Sequence, residues 1–390
     1  MPLRRAYADE DEGSFVDWRG MRGCGSREST PPGVFSSPKS PRFEAKFYEW
    51  QALCHVASCL GRPVLTNVRD PRPGTGHFQS PEVDGVIEIA GRRILVEAKS
   101  YGLTRDDVRK IVEKYKTILW DELLLVAPLF HQPEFDPPAN VRLLAFAPNL
   151  SLLRRRYFGS PYSLPSALQE ELASGEHNFR YISACRRRGE GATFRNQVDK
   201  KIKCVSELMR DIQRQSRLGD VPVRVFWSVS RWLFPKELFF SSYPNHFVRR
   251  GLVFDIDGNA IHNLSSPCEI LPGQTTCMLC VRGAKEAALR LVDFLRARGL
   301  SNVQVVFSGR QGFHVYVLNN LLSEPEIQEL VQEIADAGIP VDANFTLDRK
   351  SVVTFPGSIH GLSMLRALPV DNLEAFSVKN VIDANLAPNG

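Results

Sequence analysis

Two aspartates one residue apart are the first residues with recognisable chemistry. Asp255 and Asp257 lie in an apolar run at 252–257 that predicts a buried strand, and alternate side chains of a strand share one face. Carboxylates held that close repel each other unless a cation lies between them. Mg²⁺ or Mn²⁺ fits this requirement, and such ions support phosphoryl transfer. An acidic turn at a strand edge is the alternative for the pair taken alone.

A turn with phosphate-binding chemistry follows at 308–312, between two apolar runs that predict a hairpin. It brings a hydroxyl from Ser308, a guanidinium from Arg310 and an imidazole from His314 close to exposed backbone amides. These groups suit a triphosphate, which presents many acceptor oxygens.

A third acidic residue and a second histidine lie nearer the C-terminus. Asp342 comes first, and Ser358 and His360 follow in the segment Phe-Pro-Gly-Ser-Ile-His-Gly. In this order and spacing, the three blocks resemble the catalytic small subunit of archaeal and eukaryotic primases, and the wider archaeo-eukaryotic primase superfamily. The resemblance covers residues 180–376, and the segment 225–230 looks like the family's aromatic-serine strand.

The resemblance implies a DNA primase-polymerase that uses Mg²⁺ or Mn²⁺, a DNA template or primer, and nucleoside triphosphates. A large subunit, or another replication or repair protein, is the implied partner. Matched position by position, the implied metal-binding and catalytic residues are Asp255, Asp257 and Asp342, and the implied nucleotide-binding residues are Ser308, Arg310, His314, Ser358 and His360.

Two positions depart from the family pattern. The family often has a second basic residue where this chain has Gln311, and usually has Arg or Lys where this chain has Thr354. Both changes remove positive charge near a triphosphate, and Arg349 and Lys350 replace it only if their loop folds back. Two hypotheses therefore stay open: template-directed synthesis, or a platform that binds nucleotide or nucleic acid without polymerising.

Four residues with metal-ligand chemistry lie between the first two blocks: His262, Cys268, Cys277 and Cys280. The Cys-x-x-Cys spacing of the last two is common in structural zinc sites, and four N and S ligands complete a tetrahedron. Primase small subunits resemble this arrangement, with a zinc-binding insertion in the same interval. We therefore expect structural Zn²⁺; buried cysteines beside an unrelated histidine are the alternative.

The N-terminal part contains a separate acidic group. Asp84 begins one predicted strand, and Glu97 and Lys99 end the next. Two carboxylates and a lysine at strand ends suit metal-assisted hydrolysis of a phosphodiester. With Glu44 on the preceding helix, the context resembles the PD-(D/E)XK nuclease superfamily over residues 42–130, which implies a metal-dependent nuclease. The alternatives are an α/β domain with charged strand ends, and a DNA-end clamp that does not cut.

Length and composition set the frame for these sites. The 390 residues suffice for two domains, and the net charge of +5 fits an anionic partner. No apolar run is long enough for a bilayer, and eight cysteines without a secretory signal indicate a reducing, intracellular compartment. We expect an α/β (α+β) chain: a disordered tail at 1–41, a restriction-endonuclease-like core at 42–150, and a primase-polymerase domain with a zinc knob at 151–390.

Periodicity predicts the elements that position these residues. In the N-terminal part, helical spacing at 43–59 and a capping box of Thr104 and Asp107 predict two helices around a hairpin at 83–97. In the C-terminal part, the strand with the aspartate pair precedes a helix at 284–298 and the hairpin of the phosphate turn.

Overall fold

Helices and strands alternate along the chain in a computed structural model. The predicted tail lies almost wholly outside the described residues, and so does the side chain of Glu44. The structure describes residues 40–66, 83–99, 101–116, 118, 120–131, 137–146, 164–185, 191–196, 201–217, 220–235, 247–262, 268–379 and 381, with the backbone alone at 40–47, 182–185, 191–196, 215–217 and 220–223.

The helices vary from a single turn to more than five turns. In the described residues, no helix is both long and apolar enough to cross a membrane. In chain order the helices are α1 (Ser40–Leu60), α2 (Arg105–Lys114), α3 (Ser166–Ala173), α4 (Val205–Arg217), α5 (Gly258–His262), α6 (Met278–Ala297), α7 (Glu324–Asp336) and α8 (Ala343–Leu347).

The strands are mostly short. In chain order they are β1 (Val64–Thr66), β2 (Gly85–Ile89), β3 (Arg92–Ala98), β4 (Glu122–Ala127), β5 (Val141–Ala145), β6 (Phe179–Cys185), β7 (Gly191–Asn196), β8 (Asp220–Ser228), β9 (Arg231–Trp232), β10 (Phe247–Arg249), β11 (Leu252–Asp257), β12 (Cys268–Ile270), β13 (Val303–Phe307), β14 (Gly312–Val317), β15 (Val352–Thr354) and β16 (Leu368–Val370).

A six-stranded mixed sheet has the order β12-β1-β2-β3-β4-β5. The strands from β3 to β5 are parallel, and the other neighbours are antiparallel. Alternate side chains face different helices: Ile94 and Val96 of β3 share a core with α1, whereas Leu95 packs with α2. The capping box of Thr104 and Asp107 is confirmed at the start of α2.

Two four-stranded antiparallel sheets carry the blocks of the predicted polymerase site. Their orders are β11-β14-β13-β16 and β15-β8-β6-β7. Helices α6 and α7 cover one face of the first sheet in a continuous apolar core. The other face meets the second sheet, where the Trp227 indole N–H donates to the Tyr316 hydroxyl at 3.3 Å. The predicted strand and hairpin therefore belong to the first sheet, and the aspartate pair projects from the face of that sheet that is turned towards β8.

The parts predicted as two domains share one core and one sheet. Side chains of α1 such as Leu53 belong to the same buried cluster as Trp227 and Phe355. Strand β12 pairs with β1, so residues on both sides of the predicted boundary near 150 form one sheet. Their division into two functional domains stays a prediction.

Candidate active site and metal centre

The aspartate pair projects from one face of β11. Phe254 and Ile256 are buried on the opposite face, whereas Asp255 is half-buried and Asp257 is exposed. Burial raises the pKa of Asp255 to about 7, and the carboxylates of Asp257 and Asp342 add to the rise. The three charges lie within electrostatic reach of one another, which is an arrangement that a cation stabilises.

Asp342 reaches this site from the start of a short helix. Its backbone N–H donates to the Asp255 carbonyl at 2.9 Å. Its side chain caps α8 by accepting the Phe345 N–H at 2.9 Å. Thr346 Oγ1 donates to the Val253 carbonyl at 3.2 Å, which fixes the same helix on β11. The third aspartate is thus held beside the first, although they are far apart in sequence.

The phosphate turn connects β13 and β14 next to the aspartates. The Ser308 N–H donates to the Gly312 carbonyl at 2.9 Å, and Ser308 Oγ accepts the Gly312 N–H at 3.2 Å. Gly309 has a φ of +88°, and a Cβ there would lie 3.0 Å from a neighbouring side chain, which accounts for glycine. His314 pairs with Asp255 across the strands, with 3.6 Å between Nε2 and Oδ1.

The last block folds against the same turn. Ser363 Oγ donates to the Gly309 carbonyl, and the His360 N–H donates to the Leu365 carbonyl at 2.8 Å. Ser358 Oγ accepts the Val225 N–H at 2.8 Å, so this hydroxyl anchors the block to β8. The structure therefore brings His360 to the turn, while contact of Ser358 with a nucleotide stays a prediction.

Four buried side-chain nitrogens at this turn have no hydrogen-bond partner among the described residues. A buried polar atom without a partner costs about 1–3 kcal/mol, so such atoms are rare. Burial, with a nearby guanidinium, lowers the pKa of His314 to about 3, and the imidazole is neutral at neutral pH. The set fits a ligand rich in acceptor oxygens. Its members are Arg310 Nε, Gln311 Nε2, His314 Nδ1 and His360 Nδ1.

A guanidinium that the sequence analysis did not identify lies at Thr354. Arg224 donates to Thr354 Oγ1 through Nε at 2.8 Å and also through Nη2. It lies over the Phe226 ring, 4.5 Å from the ring centre. Its charge opposes the rise in the pKa of Asp255, and adds to burial in lowering the pKa of His314. A cation is thus present where the sequence has Thr354 instead of Arg or Lys.

The N-terminal helix also contacts this site, which the sequence analysis did not predict. The Arg310 guanidinium lies over the Trp50 ring, 4.1 Å from its centre. The Trp50 indole N–H donates to the Thr275 carbonyl at 2.9 Å, and Gln51 Nε2 donates to the Leu362 carbonyl. Helix α1 therefore forms part of the wall of this candidate site.

The four predicted metal ligands form one cluster. Their ligand atoms all lie within 4.8 Å of one another. Cys280 Sγ is 3.3 Å from Cys268 Sγ and 3.4 Å from His262 Nδ1. Cys268 belongs to β12, and Cys277 is the N-cap of α6. Three thiols and an imidazole at this spacing can hold a metal ion.

A second acidic group lies at the adjoining ends of β2 and β3. Asp84 Oδ2 accepts a backbone N–H of β3 at 2.8 Å. The Glu97 carboxylate is 1% exposed and accepts Lys99 Nζ at 2.5 Å and Lys114 Nζ at 3.2 Å. It also accepts the Tyr115 hydroxyl. The structure brings the three predicted residues together and surrounds Glu97 with donors of the chain itself.

An acid of α1 belongs to this second group. Burial raises the pKa of Asp84, and the carboxylates of Glu97 and Glu49 add to the rise. The sequence analysis chose Glu44 on this helix, and its side chain lies outside the described residues. Burial alone would lower the pKa of Lys99, but Glu97 and Asp84 raise it, so this lysine is charged at neutral pH. A charged lysine can position a phosphate or a water molecule, but it cannot accept a proton.

Comparison with known proteins gives relatives among primase small subunits. The chain is 30% identical over 190 residues to the DNA primase small subunit PriS of Pyrobaculum calidifontis. These residues make up 46% of this chain and 56% of that protein. It is 27% identical over 193 residues to PriS of Methanothermobacter thermautotrophicus, 48% of this chain and 50% of that protein. It is 26% identical over 224 residues to PriS of Saccharolobus islandicus, 45% of this chain and 66% of that protein.

These matches cover part of each protein. The chain spans about half the length of the first two relatives, and no family model matches it. A solved structure of the polymerase domain from Mycobacterium tuberculosis ligase D in complex with DNA covers 60% of this chain and 88% of that chain, with a TM-score of 0.35 and 17% identity. None of these proteins is described as a nuclease, so the nuclease assignment stays a prediction.

Proposed function

We propose that the chain is a metal-dependent nucleotidyltransferase of the DNA primase-polymerase type. One observation carries the proposal: a single site combines three carboxylates with buried nitrogens that have no partner among the described residues. A nucleoside triphosphate with its divalent cation would suit both sets, because the acids suit the cation and the donors suit the phosphates. Identity of 26–30% to primase small subunits, over about half of the chain, supports it.

Each group has a role in this proposal. Burial raises the pKa of Asp255, the carboxylates of Asp257 and Asp342 add to the rise, and a bound Mg²⁺ or Mn²⁺ would fit this crowding of acids. When bound there, such an ion would supply activation of a 3′-hydroxyl and stabilisation of the leaving pyrophosphate. The neutral imidazoles donate hydrogen bonds to the triphosphate without transferring a proton. The proposed cation ligands are Asp255, Asp257 and Asp342, and the proposed nucleotide-binding residues are Ser308, Arg310, His314, Ser358 and His360.

Arg224 favours synthesis over a platform that binds without polymerising. The platform hypothesis rests on the absence of a basic residue at both Gln311 and Thr354. Because the Arg224 guanidinium donates to the Thr354 side chain, the positive charge is supplied from β8. At Gln311, a buried amide nitrogen that has no partner in the described ranges provides a donor, although it brings no charge.

The test is synthesis on a single-stranded template. Purified protein is incubated with template, labelled ribo- or deoxyribonucleotides, and Mg²⁺ or Mn²⁺, beside the Asp255→Ala/Asp257→Ala double variant. We expect metal-dependent dinucleotides or extended primers from the wild type alone. If the wild-type protein binds nucleotide but yields no product with any nucleotide set, the platform that binds without polymerising would be the remaining hypothesis. We place the activity in intracellular replication or repair of DNA, with a large subunit as the expected partner.

We further propose that the N-terminal group cuts DNA with a divalent cation. Convergence of Asp84, Glu97 and Glu49 with a charged Lys99 supports this role, because three acids suit a cation and the lysine suits a phosphate. Nicking of supercoiled plasmid is the assay. Asp84→Asn should abolish nicking and leave primer synthesis intact. Plasmid binding without cleavage by the wild type would favour the end clamp.

We infer that His262, Cys268, Cys277 and Cys280 bind structural Zn²⁺. Sulfur-rich, closely spaced ligands suit this ion, and the cluster joins β12 to the start of α6. Metal analysis of the purified chain should give one zinc per molecule. Cys277→Ser should lower both the zinc content and the thermal stability. Full stability after complete removal of zinc would contradict the structural role.

A further inference from the structure

Neighbouring residues of α1 reach two different blocks of the nucleotide site. Successive residues of an α-helix point about 100° apart, so one turn can contact several partners. Trp50 lies against Arg310 of the phosphate turn. Gln51 donates to the Leu362 carbonyl in the loop after His360. These contacts come from a helix that the sequence assigns to the N-terminal part.

Trp50 fixes the orientation of the Arg310 guanidinium. The tryptophan is 7% exposed, and its N–H bond to the Thr275 carbonyl at 2.9 Å fixes the ring. The next residue, Thr276, donates through its hydroxyl to the Arg310 carbonyl. Stacking occupies the face of the guanidinium and leaves its edge for acceptors, and Nε has no partner among the described residues. The edge of this group is therefore presented to an oxygen-rich ligand.

Gln51 supports the loop that lies on the phosphate turn. The Leu362 carbonyl accepts its amide, and the adjacent Ser363 hydroxyl donates to the Gly309 carbonyl. Movement of α1 would thus shift both the arginine and the turn that carries it.

We propose that α1 is a positioning element for the triphosphate, so that the N-terminal part is required for nucleotide affinity. This inference rests on the proposed nucleotidyl transfer. Trp50 acts through Arg310 and does not touch the nucleotide. A long arginine side chain loses rotamer freedom when it binds a ligand. Stacking on Trp50 already restricts this side chain in the free protein, so less conformational entropy is lost on binding.

The test is equilibrium binding of a triphosphate analogue with a methylene bridge between the α and β phosphorus atoms. Isothermal titration with the full chain and Mg²⁺ measures the affinity. Trp50→Leu keeps apolar bulk but removes the ring, and we expect about tenfold weaker binding. The loss should be smaller for the nucleoside monophosphate. Trp50→Phe keeps a ring face and should recover most of the affinity. In synthesis, Trp50→Leu should raise KM and leave kcat nearly unchanged.

Trp232→Leu is the matched control. Trp232 is 5% exposed and packs on Phe247, away from the phosphate turn. The same substitution at this position should lower thermal stability without weakening binding of the analogue. In an Arg310→Ala background, Trp50→Leu should have no further effect, because its contact acts through the guanidinium.

Equal affinity of Trp50→Leu and Trp232→Leu would overturn the inference, as would a wild-type chain that does not bind the analogue. If Trp50→Leu does not fold, Gln51→Met at a half-buried position replaces it in the test. We expect this variant to bind the analogue about threefold more weakly. A wild type that binds the analogue but makes no product would overturn the proposed function. The binding measurements would then still decide the positioning role.

Discussion

The two acidic groups of this chain balance their charge in different ways. In the N-terminal group, Glu97 is surrounded by Lys99, Lys114 and the Tyr115 hydroxyl. In the C-terminal group the three aspartates repel one another, and nearby nitrogens lack partners within the described part of the chain. Glu97 is thus neutralised by donors of the chain itself, and Asp84 beside it has a raised pKa, from burial and then from the neighbouring glutamates, whereas the second group is open to a charged ligand. Charge imbalance therefore marks the C-terminal group as the stronger candidate for binding.

This difference separates stability from activity. Removing a charge from a balanced group leaves its partners uncompensated, which costs stability. Removing a charge from a repelling group relieves strain while it removes function. Substitutions in the two groups should therefore change thermal stability in opposite directions, and the following predictions test that contrast.

The largest effect is expected for the aspartate pair. Asp255→Asn/Asp257→Asn should lower primer synthesis about 1000-fold, because cation stabilisation of the transferred phosphoryl group amounts to several kcal/mol. Labelled-product assays at saturating nucleotide measure the change. Asp336→Asn, on an exposed helix end, is the control and should retain wild-type synthesis. Synthesis by the double variant at more than a tenth of the wild-type rate would contradict the assignment.

A smaller effect is expected at Arg224. Arg224→Ala should lower kcat/KM for the nucleotide about 100-fold, because it removes a charged donor from the open site. The exchange Arg224→Thr/Thr354→Arg moves the guanidinium across the strand pair and should restore activity to within about tenfold of wild type. Steady-state kinetics with varied nucleotide provide the measurement. A double variant no better than Arg224→Ala would show that Arg224 acts in packing alone.

A substitution at Glu97 in the N-terminal group should change the stability of the protein. Glu97→Gln leaves Lys99 and Lys114 without their carboxylate and should lower the free energy of unfolding by about 2 kcal/mol, since both lysines are partly exposed. Urea unfolding measures the difference. Glu113→Gln, which removes an exposed pair with Lys116, should change it by less than about 0.5 kcal/mol. Unchanged stability of Glu97→Gln would remove the contrast between the groups.

The smallest effect is the pH dependence at Asp255. Its pKa is about 7 in the folded protein, against an ordinary value of 3.8, so the folded state binds more protons between these values. Stability therefore falls as pH rises from about 4 to about 7. Metal-free Asp255→Asn should melt above the wild type at pH 8, and the gap should shrink towards pH 4. A gap independent of pH would place its cause elsewhere.

Local sequence patterns predicted the features that depend on a single helix or strand. Alternation along β11 placed Asp255 and Asp257 on one face, and the capping box located the start of α2. Helix α6 begins at Met278, earlier than the predicted 284, because Cys277 at its N-cap and Cys280 in its first turn do not continue the regular apolar stripe.

Contacts between distant elements could not be predicted in this way. Arg224 meets Thr354 only because β8 pairs with β15, and neither strand contains a motif for the contact. Trp50 looked like a core residue of α1, since nothing local shows that the helix packs on Arg310. The strands β1 and β12 are three residues long, which is too short for a period of two to be recognised.

The pairing of β1 with β12 has a consequence for the order in which the protein folds during synthesis. Thr66 pairs with Cys268, so β1 leaves the ribosome long before its partner strand. Until then one edge of the N-terminal sheet has unpaired backbone groups, and such edges associate with one another. Contacts over this sequence distance also form slowly. Nascent chains that end before Cys268 should therefore need a chaperone.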